Sequence, residues 1–284
     1  MEQLTLVQAI VLGIVQGLTE FLPISSTAHL RIVPALAGWK DIGAEATAVM
    51  QLGTLLAVLI YFWADLWRLT RAFIVDGVSW LRGGFRGAPW KSQDAKVAWL
   101  IGVGTIPICV FGLLFKDFIK GGARSLWVQV ATLIGLGLIL LVAERVATLR
   151  KELADIGWTE GLAVGAAQAV ALLPGSSRSG TTITAALFCG LTREAAARFS
   201  FLLSVPAVLL SGVYELYEIR ASIGGPGTPA LVVATVVSFV VGYASIAFLL
   251  KFLRTHTTLV FVGYRVALGL LLAGLLIGGV LQAN

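Results

Sequence analysis

A proline followed by two serines interrupts two of the chain's apolar segments, and this repeated break limits the possible folds most. Leu-Pro-Ile-Ser-Ser ends at Ser26, and Leu-Pro-Gly-Ser-Ser ends at Ser177. Proline lacks a backbone N–H and disfavours helix at the residue before it. In a bilayer, such broken backbone is tolerated only where other protein or a water-filled cavity surrounds it. Each break therefore predicts a helix–loop–helix hairpin that lines an enclosed cavity.

The composition predicts that the whole chain lies in a membrane. Of its 284 residues, 58% are hydrophobic and only 13% are charged, whereas soluble domains carry about 25% charged residues. With roughly 20 apolar residues for each spanning helix, we predict six spans, at about 45–67, 97–115, 125–143, 199–218, 229–250 and 259–281. The segments 4–37 and 158–191 contain the two prolines, and we expect them to dip into the bilayer and return.

The positive charge does not indicate a nucleic-acid partner. The net charge is +6 and the pI is near 9.6, but the cations fall in loops between apolar spans, where the positive-inside bias places them. Cys109 and Cys189 lie far apart among apolar neighbours and form no disulfide framework or metal motif.

The two halves of the chain resemble each other beyond the breaks. At a spacing of 150 residues, the segment 52–66 aligns with 202–216, and Asp65 then stands opposite Glu215. We therefore predict an all-α integral membrane protein with a single membrane domain. It consists of two repeats, at about 1–143 and 158–284, and each repeat holds one hairpin and three spans.

The loop charges predict how the repeats are oriented. Residues 68–96 hold six cations and two acids, so we expect this loop to be cytoplasmic. Counting spans from there places 38–44, 116–124 and 219–228 outside, and 144–160 and 251–258 inside. The hairpins then enter from opposite faces, as in inverted-topology repeats. Three cations in a predicted outer loop, Lys116, Lys120 and Arg124, argue against this orientation.

The first hairpin carries an acid and a histidine beside its hydroxyls. Gln16 and Glu20 are four residues apart and share a helix face. A carboxylate at membrane depth costs several kcal/mol unless it is paired, protonated or bound to a cation. A protonated Glu20 that bonds a backbone carbonyl is the alternative to a catalytic carboxylate. His29 follows Ser26 by three residues, and imidazole can activate a hydroxyl or protonate a leaving group near neutral pH.

The hydroxyls of both hairpins are candidate phosphate ligands. The start of a helix presents free N–H groups and a positive dipole end, which suit a phosphate. The candidates are Ser25, Thr27, Gly175, Ser176, Ser177, Ser179 and Thr182. Serines at these places would otherwise be N-caps.

Two arginines lie within apolar segments. Arg178 offers a planar, two-pronged donor for phosphate oxygens; alternatively, it only neutralises Glu20 as a buried ion pair. Arg265 either snorkels from its span to the inner surface or joins the site.

Residues 16–29 and 174–182 closely resemble the two signature motifs of the bacterial undecaprenyl pyrophosphate phosphatase family, the bacitracin-resistance proteins. The segment 50–58, which contains Gln51, is similar to that family's third recurrent segment, and the similarity extends over essentially the whole chain. The resemblance implies a hydrolase of the bacterial cytoplasmic membrane. Such an enzyme converts undecaprenyl pyrophosphate to undecaprenyl phosphate and phosphate on the outer side, which recycles the lipid carrier for peptidoglycan synthesis. A homodimer is a further expectation.

The resemblance also implies a divalent cation, magnesium or calcium, which suits a charged pyrophosphate in a poorly wetted cavity. The family's first motif begins with Glu or Gln, and here it begins with Gln16. Glu20 is therefore the only carboxylate of this motif and the candidate metal ligand. Gln16 and Gln51 are expected to be supporting residues.

We predict in-line attack on the terminal phosphorus, with Glu20, Ser26, His29 and Arg178 as the catalytic residues. Arg178 and the N–H groups after Pro174 hold phosphate oxygens, Ser26 attacks or positions a water, and His29 and Glu20 divide the proton transfers. Ser26, His29 and water all stay open as the nucleophile. The alternative function is a polyprenyl-phosphate transporter or flippase, because broken helices in inverted repeats are common in transporters. A purely structural scaffold would leave the buried ionisable residues unexplained.

Overall fold

The computed structural model describes residues 4–121, 125–218, 220 and 227–282, without the side chains of residues 44, 45 and 120. Of the cations in the predicted outer loop, Arg124 and the side chain of Lys120 lie outside this part, as does most of the predicted outer loop 219–228. The α-helices of the described residues are α1 (Leu6–Phe21), α2 (Ser26–Ala37), α3 (Gly43–Tyr61), α4 (Trp63–Arg82), α5 (Gln93–Leu114), α6 (Lys116–Lys120), α7 (Leu126–Val146), α8 (Trp158–Val170), α9 (Arg178–Phe188), α10 (Arg193–Glu218), α11 (Thr228–Leu253) and α12 (Leu259–Ile277).

The helices confirm the prediction of an all-helical membrane protein. Five of them, α5, α7, α10, α11 and α12, are long and apolar enough to cross a membrane. A sixth span results if α3 and α4 count together, although they are bent by 77°. Five of the predicted spans match α5, α7, α10, α11 and α12 within six residues, whereas the predicted span 45–67 covers α3 and only the first five residues of α4.

The segment after the first predicted span is a helix, where we had predicted a loop at 68–96. Helix α3 ends at Tyr61 and α4 continues to Arg82. Its tryptophans Trp63 and Trp67 are exposed, and Leu69 is its one buried residue. For residues 68–82 the prediction was wrong, because Arg68, Arg71 and Arg82 were counted as loop charges, whereas they share an amphipathic helix with large apolar side chains. Only residues 83–92 of the predicted loop lie between α4 and α5.

The backbone leaves the helix at both prolines. Helix α1 ends just before Leu22, and α2 begins after its N-cap Ser25. In the same way α8 ends at Val170, and α9 begins after its N-cap Ser177. In each case the two short helices pack against one another, so the chain reverses as a hairpin.

The two hairpins match in structure with a shift of one residue relative to the sequence motifs. Ser25 and Ser177 are the positions at which each tip has a positive φ, 74° and 67°, and each caps the helix that follows. The Leu-Pro-x-Ser-Ser alignment instead pairs Ser25 with Ser176. The structural match therefore places Ser26 and Arg178 at the same position, the first residue of the second half-helix.

The second predicted span of each half, α5 or α11, packs on the other half. Helix α11 contacts α1 and α3, whereas α5 contacts α8 and α10. Glycines allow the close approach: a Cβ on Gly165 would lie 2.5 Å from the Cα of Gly104. Helices α7 and α12 pack against each other. The two halves therefore interlock.

Buried side chains also join the halves. Phe21 of α1 packs edge-on against Phe201 of α10, with ring centroids 5.3 Å apart, within the main hydrophobic cluster. Near the other ends of the helices, the buried carboxylate of Glu144 accepts hydrogen bonds from Arg193 and Thr258. This ion pair ties α7 to α10 and to the start of α12.

Candidate active site

The carboxylate of Glu20 is the centre of a buried polar cluster. Its Oε1 accepts a hydrogen bond from Arg178 Nη2 at 2.5 Å. Its Oε2 accepts from Ser26 Oγ at 2.7 Å and from Gln16 Nε2 at 3.0 Å. The structure thus brings together the predicted acid, serine and arginine, which come from two hairpins 158 residues apart in sequence.

Helix geometry explains this meeting. Gln16 and Glu20 lie one turn apart on α1, so their side chains point the same way. Ser26 and Arg178 are the first residues of α2 and α9. Both half-helices therefore direct their N-termini, with their positive dipole ends, at the end of α1.

The cluster is arranged for the activation of a nucleophile. Glu20 is surrounded by the guanidinium of Arg178 and by donors from Ser26 and Gln16, partners of the kind that bind a carboxylate. A hydroxyl that donates to an anionic carboxylate is poised to lose its proton to it. The ion-pair alternative for Arg178 is also present, because its Nη2 is bonded to Glu20 while Nη1 donates to the carbonyl of Ser204 at 3.2 Å.

His29 is buried but lies apart from that cluster. Its Nδ1 is 2.7 Å from the carbonyl oxygen of Ser25, and its Nε2 is 2.6 Å from the hydroxyl of Tyr264. In the described part of the chain, no hydrogen bond joins His29 to Ser26 or Glu20. Tyr264 was not predicted, because it belongs to α12, where the sequence offers no motif.

The predicted phosphate ligands connect the two hairpin tips. The N–H of Gly175 donates to Thr27 Oγ1 at 3.2 Å, and Ser179 Oγ donates to the carbonyl of Leu22 at 3.1 Å. Gly175 has a φ of 87°, and a Cβ there would lie 2.2 Å from Thr132 Oγ1. Only glycine fits this position without rearrangement.

The remaining hydroxyls differ in their surroundings. Ser25 and Ser177 cap their helices, accepting from Ala28 N and Gly180 N, as the N-cap alternative predicted. Ser176 Oγ is buried, with no hydrogen-bond partner among the described residues.

Two predicted site residues, Thr182 and Gln51, are not hydrogen-bonded to Glu20 in the part of the chain that the structure describes. Thr182 lies one turn further along α9, and its Oγ1 is 2.6 Å from Ser200 Oγ. Gln51 lies on α3, and its backbone carbonyl accepts from Thr54. No hydrogen bond that the structure describes joins either side chain to Glu20.

Arg265 does not snorkel to the surface, in contrast to one of the two alternatives that the sequence left open. Its side chain is fully buried. It donates to backbone carbonyls of both hairpin tips and of α7, which belong to Pro23, Gly175, Ser176, Thr132 and Leu133. Broken helices leave such carbonyls without helical partners, and a guanidinium with five N–H donors can satisfy several at once.

The described residues contain no group of three or more His, Cys, Asp or Glu side chains that could hold a metal by themselves. One feature nevertheless suits a hard cation. Gln16 Oε1 is buried beside Glu20, and no described residue donates a hydrogen bond to it. Glu20 and Gln16 offer oxygen ligands to a cation whose other ligands are phosphate oxygens and water, a common arrangement for magnesium.

A cavity of about 220 Å³ lies away from this cluster. It is lined by residues of the second half of α2, the start of α7 and the end of the chain: Arg31, Pro34, Ala35, Trp39, Asp41, Leu126, Leu281 and Gln282. None of the predicted site residues lines it.

Comparisons with known proteins identify the family of the chain. The family model described as bacitracin resistance protein BacA matches residues 9–271. An undecaprenyl-diphosphatase of Chlorobium phaeobacteroides is 53% identical, and the alignment covers 99% of this chain and 100% of the relative. An undecaprenyl-diphosphatase of Myxococcus xanthus is 54% identical, with 98% of this chain and 92% of the relative covered. Since the match runs from α1 into α12 and includes both hairpins, the chain belongs to the bacitracin resistance protein BacA family.

Proposed function

We propose that this protein is an undecaprenyl-diphosphatase, a membrane hydrolase that converts undecaprenyl pyrophosphate to undecaprenyl phosphate and inorganic phosphate. The observation that carries the proposal is the single carboxylate of Glu20, which accepts hydrogen bonds from Ser26 and Arg178. One buried cluster therefore holds a candidate nucleophile (Ser26), a base (Glu20) and a guanidinium that can bind phosphate (Arg178). The names of relatives that are 53% and 54% identical support the same reaction.

In the first step, Ser26 Oγ attacks the terminal phosphorus. A bond forms between Oγ and phosphorus, and the bond from phosphorus to the bridging oxygen breaks. The bridging oxygen keeps the electron pair and leaves as undecaprenyl phosphate, while the serine proton moves to Glu20 Oε2. The 2.7 Å distance between Ser26 Oγ and Glu20 Oε2 favours Ser26 over His29 as the nucleophile.

In the second step, water hydrolyses the phosphoserine. The water oxygen bonds to phosphorus, the bond between phosphorus and Oγ breaks, and Oγ recovers its proton from Glu20. The proton of the attacking water passes to Nε2 of His29, which then gives it to the departing phosphate. Glu20 and His29 thus serve the two halves of one turnover.

Arg178 and the N-terminus of α9 bind the terminal phosphate. A guanidinium that pairs with a carboxylate at 2.5 Å can exchange it for phosphate oxygens, because both acceptors fit its fork. That exchange frees Glu20 to act as a base. The backbone N–H groups of the first turn of α9 add donors that reorganise little as charge develops on phosphorus.

We expect Glu20 and Gln16 to hold a divalent cation, magnesium or calcium, together with the diphosphate. When bound there, the cation would neutralise phosphate charge in a poorly wetted site. Chelation is then expected to reduce turnover, and added magnesium or calcium to restore it.

We place the protein in the bacterial cytoplasmic membrane, with the active site open to the outer side. The multi-pass helices and the basic segment between α4 and α5 support this location. The apolar side chains exposed on the helices would face lipid or a second copy in a homodimer.

The test is phosphate release from a C55 pyrophosphate by the protein purified in detergent. We expect activity from the wild type and a fall of at least about a hundredfold for Ser26→Ala, since covalent and base catalysis are both lost. Rapid acid quench should trap phosphate on Ser26. Ser211→Ala is the matched control, because Ser211 is exposed on α10 and bonds only within its own helix. Near-normal turnover by Ser26→Ala would exclude the serine route.

A transporter or flippase is the second candidate, favoured by the broken helices in two interlocked halves. The same detergent experiment separates the two functions, because no gradient exists across a micelle. Phosphate release there requires an enzyme. Purified wild type that binds the lipid without releasing phosphate would favour transport.

A further inference from the structure

The imidazole of His29 is held between two hydrogen-bonding partners of different kinds. On one side, Nδ1 lies 2.7 Å from the carbonyl oxygen of Ser25, one turn earlier on α2. On the other side, Nε2 lies 2.6 Å from the hydroxyl of Tyr264 on α12. The two rings are nearly parallel, with an angle of 9° between their planes.

These contacts select one tautomer of neutral His29. A carbonyl oxygen can only accept, so Nδ1 must carry the hydrogen. Nε2 then carries the lone pair, and the phenol of Tyr264 must donate to it. The hydrogen-bond partner of one ring nitrogen thus determines what the other nitrogen can do.

The two side chains of the pair differ in how far they are buried. His29 is 8% exposed, whereas Tyr264 is 45% exposed. The phenol therefore lies between the buried imidazole and the more open side of α12. It can move without disturbing the backbone of α2.

We propose that Tyr264 is a positioning residue for His29: its hydroxyl donates to Nε2 and fixes the plane of the imidazole, and it turns away when the water arrives, which leaves the Nε2 lone pair as the proton acceptor. The proposal rests on the proposed function, in which Nε2 takes the proton of the water that hydrolyses the phosphoserine. Without the phenol, only the hydrogen bond from Nδ1 to the carbonyl of Ser25 orients the ring, so the imidazole can turn about that bond. A smaller fraction of enzyme then has the base in the orientation that the second step needs.

The variant Tyr264→Phe tests this role because it removes only the hydroxyl. We expect kcat to fall about three- to tenfold, the effect of one hydrogen bond, with little change in KM. Tyr243→Phe is the matched control, since Tyr243 is also partly exposed and makes a ring contact with Tyr61. Equal kcat values for wild type and Tyr264→Phe would overturn the proposal.

A second measurement does not depend on activity. With His256→Asn as the background, His29 is the only histidine of the chain, and its two ¹⁵N resonances report the tautomer directly. We expect Nδ1 to be protonated in both proteins, and the Nε2 resonance to move toward that of a free imidazole lone pair in Tyr264→Phe, where its donor is gone. An unchanged Nε2 resonance in Tyr264→Phe would refute the positioning role even if catalysis fell. A wild type without phosphatase activity would instead refute the proposed function and leave the Nε2 result standing.

Discussion

At the residue scale, Glu20 and Arg178 depend on each other. Each is a buried charge, and removing one partner of such a pair costs about 3–5 kcal/mol because the other charge stays behind unpaired. We expect Glu20→Gln and Arg178→Gln each to lower the thermal unfolding midpoint. The double variant should be more stable than the sum of the single losses predicts.

All three of these variants are expected to lose phosphatase activity by about a hundredfold or more. Unfolding midpoints and phosphate release are measured on the same detergent samples. Glu194→Gln is the control, because Glu194 pairs with Arg254 in a more exposed ion pair. Additive stability losses would show that the two side chains do not stabilise each other.

Ser177 combines a strained backbone with a cap. Its φ is 67°, and its Oγ accepts from Gly180 N at 3.0 Å. Ser177→Ala keeps the strain and loses the cap, so we expect a loss of about 1 kcal/mol, or about 3 °C in the unfolding midpoint. Ser177→Gly relieves the strain and should stay within about 1 °C of wild type. An equal fall for both variants would contradict this account.

At this scale the sequence predicted the polar side chains of the cluster better than the residues that contact the hairpin tips from other helices. Glu20, Ser26 and Arg178 could be predicted because ionisable groups and hydroxyls stand out within apolar segments. Tyr264 and the carbonyl contacts of Arg265 could not, because they depend on where α12 packs against the hairpin tips. No local sequence pattern predicts where α12 packs.

At the element scale, the contact between α5 and α8 depends on the absence of two side chains. A Cβ on Gly165 would meet the Cα of Gly104 at 2.5 Å. We expect Gly165→Ala to cost about 1–3 kcal/mol, because overpacking forces the helices apart. Gly102→Ala on α5 is the control, since nothing lies within 4 Å of its added Cβ. The measurement is thermal unfolding, and equal midpoints for the two variants would contradict the packing.

Helix α4 shows where charge patterns mislead a prediction of elements. Arg68, Arg71 and Arg82 indicated a loop, but they alternate with apolar residues in a way that suits a helix with two faces. The hairpin breaks were easier to predict, because each combines a proline with a serine that caps the next helix. Prolines without such a pattern, such as Pro107 and Pro206, lie inside helices.

At the scale of the whole molecule, the proposed topology places Lys40 outside and Ala88 inside. Single cysteines at these positions, in a chain with Cys109 and Cys189 replaced by alanine, test it in intact cells. We expect a membrane-impermeant maleimide to label Lys40→Cys at once and Ala88→Cys only after permeabilisation. Labelling of Ala88→Cys in intact cells would reverse the orientation.

The sequence predicts that the two halves resemble each other, but it does not predict that α5 and α11 each pack on the other half. Internal sequence similarity shows that two segments have related structures, and it carries no information on which copy a helix packs against. The one-residue shift between motif and structure has the same origin. The sequence alignment matches the residue types of Leu-Pro-x-Ser-Ser, whereas the structures match at the residues with a positive φ, Ser25 and Ser177.

The packing of α5 and α11, each on the other half, has a consequence for how such a chain could arise. Neither half could cover its own hairpin, because the helix that does so is encoded in the other half. An ancestral single-repeat protein would have needed to assemble as two copies, in which a helix of each copy packs on the hairpin of the other. Duplication and fusion of the gene would then have turned a concentration-dependent association into a permanent one.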